Sequence, residues 1–155
     1  MSITDYTDRT VDLLAYQGAP GVGEVLTVQA LAQSTNSGQI CTGIQKLAQR
    51  FLLELFTETG SIAYLPTRGC QFMEDARLGL FSNQFDVLAS FSASLVDIKR
   101  NLQSEETESD PNDERFSDAE AVNVVFQPGS AAITVKITSL AGTSRQVIAP
   151  LTVVL

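Results

Sequence analysis

The chain has 155 residues and a mass of 16.7 kDa, enough for one domain with a real core. Ten Lys and Arg stand against 18 Asp and Glu, a net charge of −8, which argues against nucleic-acid or membrane partners, since gripping phosphates or anionic lipid needs clustered cations. Histidine is absent, which removes Ser-His-Asp and Cys-His machinery, His-ligated zinc and imidazole acid–base chemistry.

Residues 1–38 read as a polar N-terminal extension that lies over the domain or over a neighbour. Its apolar pieces, Val11/Leu13/Leu14 and Val25–Leu31, flank the breaker cluster Gly18-Ala19-Pro20-Gly21-Val22-Gly23, which must be loop. Residues 39–155 read as one α+β domain. Its first helix starts near Gln39 with Ser37 as N-cap. Ile40, Ile44, Leu47, Ala48, Phe51 and Leu55 recur at helical spacing, and Gln45, Lys46, Gln49, Arg50 and Glu54 fall on the polar side. Thr59-Gly60-Ser61 marks its stop. Gly60 to Cys70 is too broken for a helix and predicts a hairpin or extended pair pinned by Pro66 and Gly69. A short helix is expected from Met73 to Leu80.

A second long helix is predicted from Ser82 to Leu102, with Phe85, Leu88, Phe91, Leu95, Ile98 and Leu102 on its apolar face and Lys99 and Arg100 in its last turn. Residues 103–118 carry seven acids against Arg115 alone and predict a solvated, mobile acidic loop. The end is β. Val122, Val124 and Phe126 alternate with polar or outward positions, then Ile133, Val135 and Ile137, then the run Gln146 to Leu155, with turns at Pro128-Gly129 and Ala141–Ser144. The fold class is therefore α+β, two main helices packed on a small antiparallel sheet that ends in a three-strand meander.

Candidate chemistry is thin. Gly18–Gly23 has the glycine spacing of a phosphate loop, but Glu24 stands where its lysine belongs. A calcium loop started at Asp110 fails at Arg115 and Ala121, where glycine and a bidentate Glu are needed. Glu54/Glu58 and Glu74/Asp75 are the available carboxylate pairs for glycoside hydrolysis, with no Trp in the chain to hold a sugar. Lys46, Lys99 and Lys136 sit on outward positions, unsuited to a Ser–Lys dyad. No catalytic residue, metal site or cofactor is expected. Cys41 and Cys70 predict reduced, packed thiols of a cytosolic setting, with one disulfide as the alternative. The N-terminus lacks the pattern of a signal peptide, and no apolar run reaches the roughly 18–20 residues of a membrane helix.

One feature remains. The last strand, with Val147, Ile148, Leu151, Thr152, Val153 and Val154, is nearly uncharged and runs to the chain end. It predicts an open sheet edge, covered by the N-terminal segment or used by a partner for strand addition.

Leu55-Phe56-Thr57-Glu58-Thr59-Gly60-Ser61, then Pro66, then Gly69-Cys70, with the following long helix and Val122-Asn123-Val124, resemble in order and spacing the tail-sheath initiator family. These are baseplate wedge proteins of contractile phage tails, with relatives in type VI secretion machines and a history of being labelled lysozyme-like. The resemblance spans residues 40–155. Gly60, Ser61, Pro66 and Gly69 would be its structural turn. Asp113, Arg115 and Phe116 stand nearest the family's acid-Pro-Arg-apolar motif, with Glu114 at the proline position, and would contact neighbouring wedge subunits. The resemblance implies a non-enzymatic structural protein of the virion tail baseplate, assembled in the host cytoplasm. It would be present in six copies around the tail axis and would template the first tail-sheath ring through strands added to its sheet. Partners would be the tail sheath protein and other wedge proteins, with tube or hub proteins as further candidates. A peptidoglycan glycosidase and an unrelated α+β interaction module are the alternatives.

Overall fold

A computed structural model of the chain describes residues 9, 11–13, 17–19, 23–25 and 40–153. The N-terminal part contributes three short strands, β1 (Asp12–Leu13), β2 (Gln17–Ala19) and β3 (Gly23–Val25). Then follow β4 (Ile40–Cys41), α1 (Gly43–Phe56), α2 (Phe72–Arg77), α3 (Gln84–Glu105), β5 (Phe116–Gln127), β6 (Ser130–Ser139) and β7 (Ser144–Thr152). The fold is α+β, and β5, β6 and β7 form the expected antiparallel meander. The meander is part of a five-stranded sheet of order β2-β3-β7-β6-β5, in which β3 pairs parallel with β7. A separate two-stranded ribbon joins β1 to β4. Among the described residues no helix is long and apolar enough to cross a membrane.

The helices cover one face of the sheet. Ala131, Ile133, Val135 and Ile137 of β6 and Val147, Ala149 and Leu151 of β7 point inward by strict alternation. They meet Leu47, Phe51, Leu52 and Leu55 of α1 and Val87, Phe91, Ile98 and Leu102 of α3. Phe51 of α1, stacked on Phe116 of β5 at 5.9 Å between ring centroids, ties helix to sheet, and Phe72 edge-on to Phe91 at 6.2 Å ties α2 to α3. Such pairs add about 0.5–1.5 kcal/mol each beyond their burial.

Several sequence expectations are corrected. The first helix begins at Gly43 rather than near Gln39, because Ile40 and Cys41 pair with β1. Ser37, the expected cap, lies outside the described residues. The helix ends at Phe56, before the expected Thr59-Gly60-Ser61 stop, with Thr57 as C-cap. Its polar side is not solvent: Gln49 and Glu54 are buried, Gln49 donating to Asp12 at 2.7 Å. The hairpin or extended pair expected over Gly60–Cys70 is a loop whose ends meet in a parallel bridge between Glu58 and Cys70. The long helix runs on to Glu105, so Lys99 and Arg100 stand about a turn before its end, and Arg100 pairs instead with Asp97 at 2.8 Å. Phe85 is 70% exposed, because the buried stripe of α3 starts at Val87. Val122 is exposed too, since a register shift between Ala121 and Asn123 turns it outward. Cys41 and Cys70 are unpaired and buried. Residues 20–22 of the glycine cluster lie outside the described residues; its flanks pair as β2 and β3.

Candidate functional site

The acidic segment expected as a solvated loop over 103–118 begins in α3 and ends in β5, and five of its seven acids, Glu105, Glu106, Asp110, Asp113 and Glu114, are bound by the fold, while Glu108 and Asp118 are exposed. Glu106 accepts the Phe116 N–H at 2.6 Å, and its burial pushes the carboxyl above the usual carboxylate range. Asp110 accepts the Thr107 N–H at 2.7 Å while donating its own N–H to the Thr107 carbonyl at 3.1 Å. The first bond holds the Asp110 carboxyl below its ordinary range. Asp113 pairs with Arg9 at 2.9 Å.

Glu114 is buried. It accepts the Gly43 N–H at 3.0 Å and pairs with Lys46 at 2.8 Å. Thr42, at the N-cap, supplies no side-chain bond. A carboxylate 71 residues away therefore caps α1, where free N–H groups and the helix dipole favour negative charge. Gly43 is required here: its φ is +62°, and a Cβ would lie 2.8 Å from an Asp113 carboxylate oxygen.

The Asp113–Phe116 motif is thus split by its surroundings. Asp113 and Glu114 face inward to α1 and Arg9. Phe116 is fully buried in the core against Phe51, which corrects its expected contact with a neighbour. Arg115 is half-buried, and its Nε has no hydrogen-bond partner among the described residues. Its carbonyl accepts the Leu140 N–H at 2.9 Å, fixing the motif to the turn between β6 and β7.

The structural turn is built on Glu54. This buried carboxylate accepts the Gly69 N–H and the Asn101 side-chain amide, each at 3.0 Å, and pairs with Arg68. Arg68 also pairs with Glu105, which pairs in turn with Arg50 at 3.3 Å. Gly69 has φ +85°, and a Cβ there would stand 2.2 Å from the Thr57 carbonyl oxygen. Gly60, Ser61 and Pro66 lie on the exposed part of the loop. Of the other carboxylates considered for sugar chemistry, Glu58 pairs with Arg77 at 3.2 Å and Asp75 accepts from Ser90 at 2.6 Å. Among the described residues, no group of three or more His, Cys, Asp or Glu could hold a metal ion.

The terminal strand is not an open edge along its length. Glu24 and Val25 of β3 pair with Val147 and Ile148. Leu151 and Val153 are buried with Val147 in the core; Val154 lies outside the described residues. Val153 donates to Gly129 at 3.2 Å, so by the alternation of an antiparallel ladder the backbone groups of Thr152 and Pro150 point away from β6. Pro150 has no N–H to offer, which leaves the Thr152 N–H as the outward donor of that stretch.

Among the described residues the longer free edge is β5, which has a strand partner on one side only. Its first half is blunted by two register shifts and by Asp118 and Glu120. Its second half, Asn123–Gln127, is uncharged. The two-residue turn between Gln127 and Ser130 makes those two a hydrogen-bonded pair, so Val124 and Phe126 direct their N–H and C=O groups outward. Beside this half-edge, Val125, Gln127, Ala132 and Pro150 are among the residues that line a groove of about 290 Å³.

No family model matches the chain, and no curated protein does. Among solved structures it is similar to a protein described as a "putative tail lysozyme" from Geobacter sulfurreducens, with 17% identity and a TM-score of 0.46 over 76% of this chain and 98% of that one.

Proposed function

We propose that the chain is a non-enzymatic assembly protein of a contractile-tail baseplate, which receives a strand of the tail sheath subunit on its sheet and links the sheath to the wedge. The observation that carries the reading is the uncharged half of β5, Asn123–Gln127, which among the described residues has β6 on one side and no strand on the other. Free backbone groups on such an edge are an aggregation hazard unless a partner satisfies them. The tail setting rests on the sequence resemblance of residues 40–155. The strand site therefore moves from the last strand, whose Val147 and Ile148 are occupied by β3, to the opposite edge. Within the wedge motif, Arg115 is the residue left for a neighbour, since Asp113 is engaged by Arg9 and Phe116 is in the core.

The test is capture of purified sheath subunit by three folded variants. Val124→Pro removes an outward donor and abolishes capture, while Val124→Ala keeps it. Thr152→Pro also keeps it. Loss with Thr152→Pro and not with Val124→Pro places the strand on β7. Capture by none of the proteins, wild type included, removes the sheath role.

A further inference from the structure

Nine consecutive residues, Thr59 to Thr67, are exposed and none is charged, in a chain where 18% of residues are. They form a compact loop whose ends meet at the Glu58–Cys70 bridge, the geometry of an Ω-loop. At the tip stand Ile62, Tyr64 and Leu65, with Tyr64 95% exposed. The loop is not loose. Leu65 donates to Ile62 at 3.0 Å, Arg68 to Leu65 at 3.1 Å, Thr59 to Cys70 at 3.3 Å and Cys70 to Thr57 at 2.9 Å. Its base is clamped by buried Glu54, which takes bonds from Gly69, Arg68 and Asn101. With an ion pair and two further hydrogen bonds on it, this buried carboxylate fixes the base of the loop.

We infer that the Thr59–Thr67 loop is a pre-ordered docking knob, and that its occupant is an apolar, uncharged cleft on a different protein of the assembly, into which Tyr64 and Leu65 insert. Tyrosine is favoured in such anchors because it offers large area for little conformational loss, and a loop already ordered loses little more on binding. A second copy of the chain is disfavoured on area and charge. A tyrosine buries roughly 150–250 Å², and with two aliphatic neighbours this falls short of the roughly 800 Å² per partner of a stable interface. Two copies at −8 each would also repel. The knob is therefore one anchor of a larger contact, and the inference rests on the assembly reading above.

Thiol footprinting of the full chain tests it. Cys41 and Cys70 are buried, so Ala63→Cys places one accessible thiol beside Tyr64 without removing it. Ala93→Cys, on the exposed side of α3, reports general access of reagent. The maleimide rate at position 63 should fall at least about 10-fold in tail particles purified from producing cells, relative to the free chain, with position 93 still reactive. Tyr64→Ala should weaken incorporation into particles by about 30-fold, the scale of one anchor residue. Equal rates at 63 in free and assembled chain overturn the knob and leave the assembly role standing. Absence of the chain from particles overturns both. Protection at 63 by neutral phosphatidylcholine vesicles alone replaces the protein cleft with a lipid surface.

Discussion

The capping of α1 by Glu114 has a calculable cost of removal. Glu114→Ala strips the buried Gly43 N–H of its acceptor, which costs about 1–3 kcal/mol. It also removes one ion-pair partner from Lys46, at 2.8 Å, and one from Arg9, at 3.5 Å, while Arg9 keeps Asp113. Because neither cation is fully buried and each keeps other contacts, the added cost is nearer about 1 kcal/mol than the 3–5 of a fully buried pair. The sum is about 2–4 kcal/mol. At roughly 2–4 °C per kcal/mol for a chain of this size, the melting temperature falls by about 4–16 °C. Glu114→Gln keeps an acceptor for Gly43 and loses about half as much. Urea unfolding followed by far-ultraviolet circular dichroism reads both, with an unchanged denaturant slope as the sign that only stability has moved. A Glu114→Ala cost below about 0.5 kcal/mol would refute the cap, since a buried amide cannot lose its acceptor so cheaply.

Four further outcomes follow from the geometry. Gly69→Ala should destabilise by about 3 kcal/mol or more, as a left-handed backbone and a clash with the Thr57 carbonyl combine, whereas Gly60→Ala, with open space around its Cβ, should cost about 1–2 by the same unfolding assay. Burial raises the Cys41 thiol from 9.0 to about 11 and the Cys70 thiol in the same direction; the unfolded chain therefore ionises first, so stability should fall as pH rises between about 9 and 11, and both thiols should resist Ellman's reagent until urea unfolds the chain. Arg115→Ala should leave the melting curve nearly unchanged and weaken wedge binding by about 2–5 kcal/mol in titration calorimetry, as loss of one partner of a buried charge pair does. Purified protein should leave peptidoglycan intact, and turnover abolished by Glu58→Gln or Glu74→Gln would replace the assembly reading with an enzyme.

The elements with a strong period were legible in the sequence. The apolar spacing of Leu47, Phe51 and Leu55 and of Phe91, Ile98 and Leu102 gave both long helices, and the alternation of Ile133, Val135 and Ile137 gave the meander. What was not legible depends on contacts far apart in the chain. Nothing near Gly43 announces that its cap comes from Glu114. Nothing near Glu54 announces that Asn101 and Gly69 will bury it, although an Asn on the apolar stripe of α3, three residues after Ile98, is the one local sign of a buried polar partner. A run of like charges looks solvated in the sequence, because its cations, Arg9, Lys46, Arg50 and Arg68, are brought beside it only by the fold. Of the two outcomes the sequence allows for the last strand, cover by the N-terminal segment is the one found at Val147 and Ile148, through β3, which at three residues is too short to show a strand period.

Amide hydrogen exchange, residue by residue, on the chain with and without the sheath subunit addresses the strand-addition reading at its source. The account predicts that Val124 and Phe126, whose amides face outward from β5, exchange freely in the isolated chain and become protected at least about 100-fold when sheath subunit is added, while the β6-bonded Val125 changes little. Sheath binding with Val124 and Phe126 still exchanging freely would contradict it.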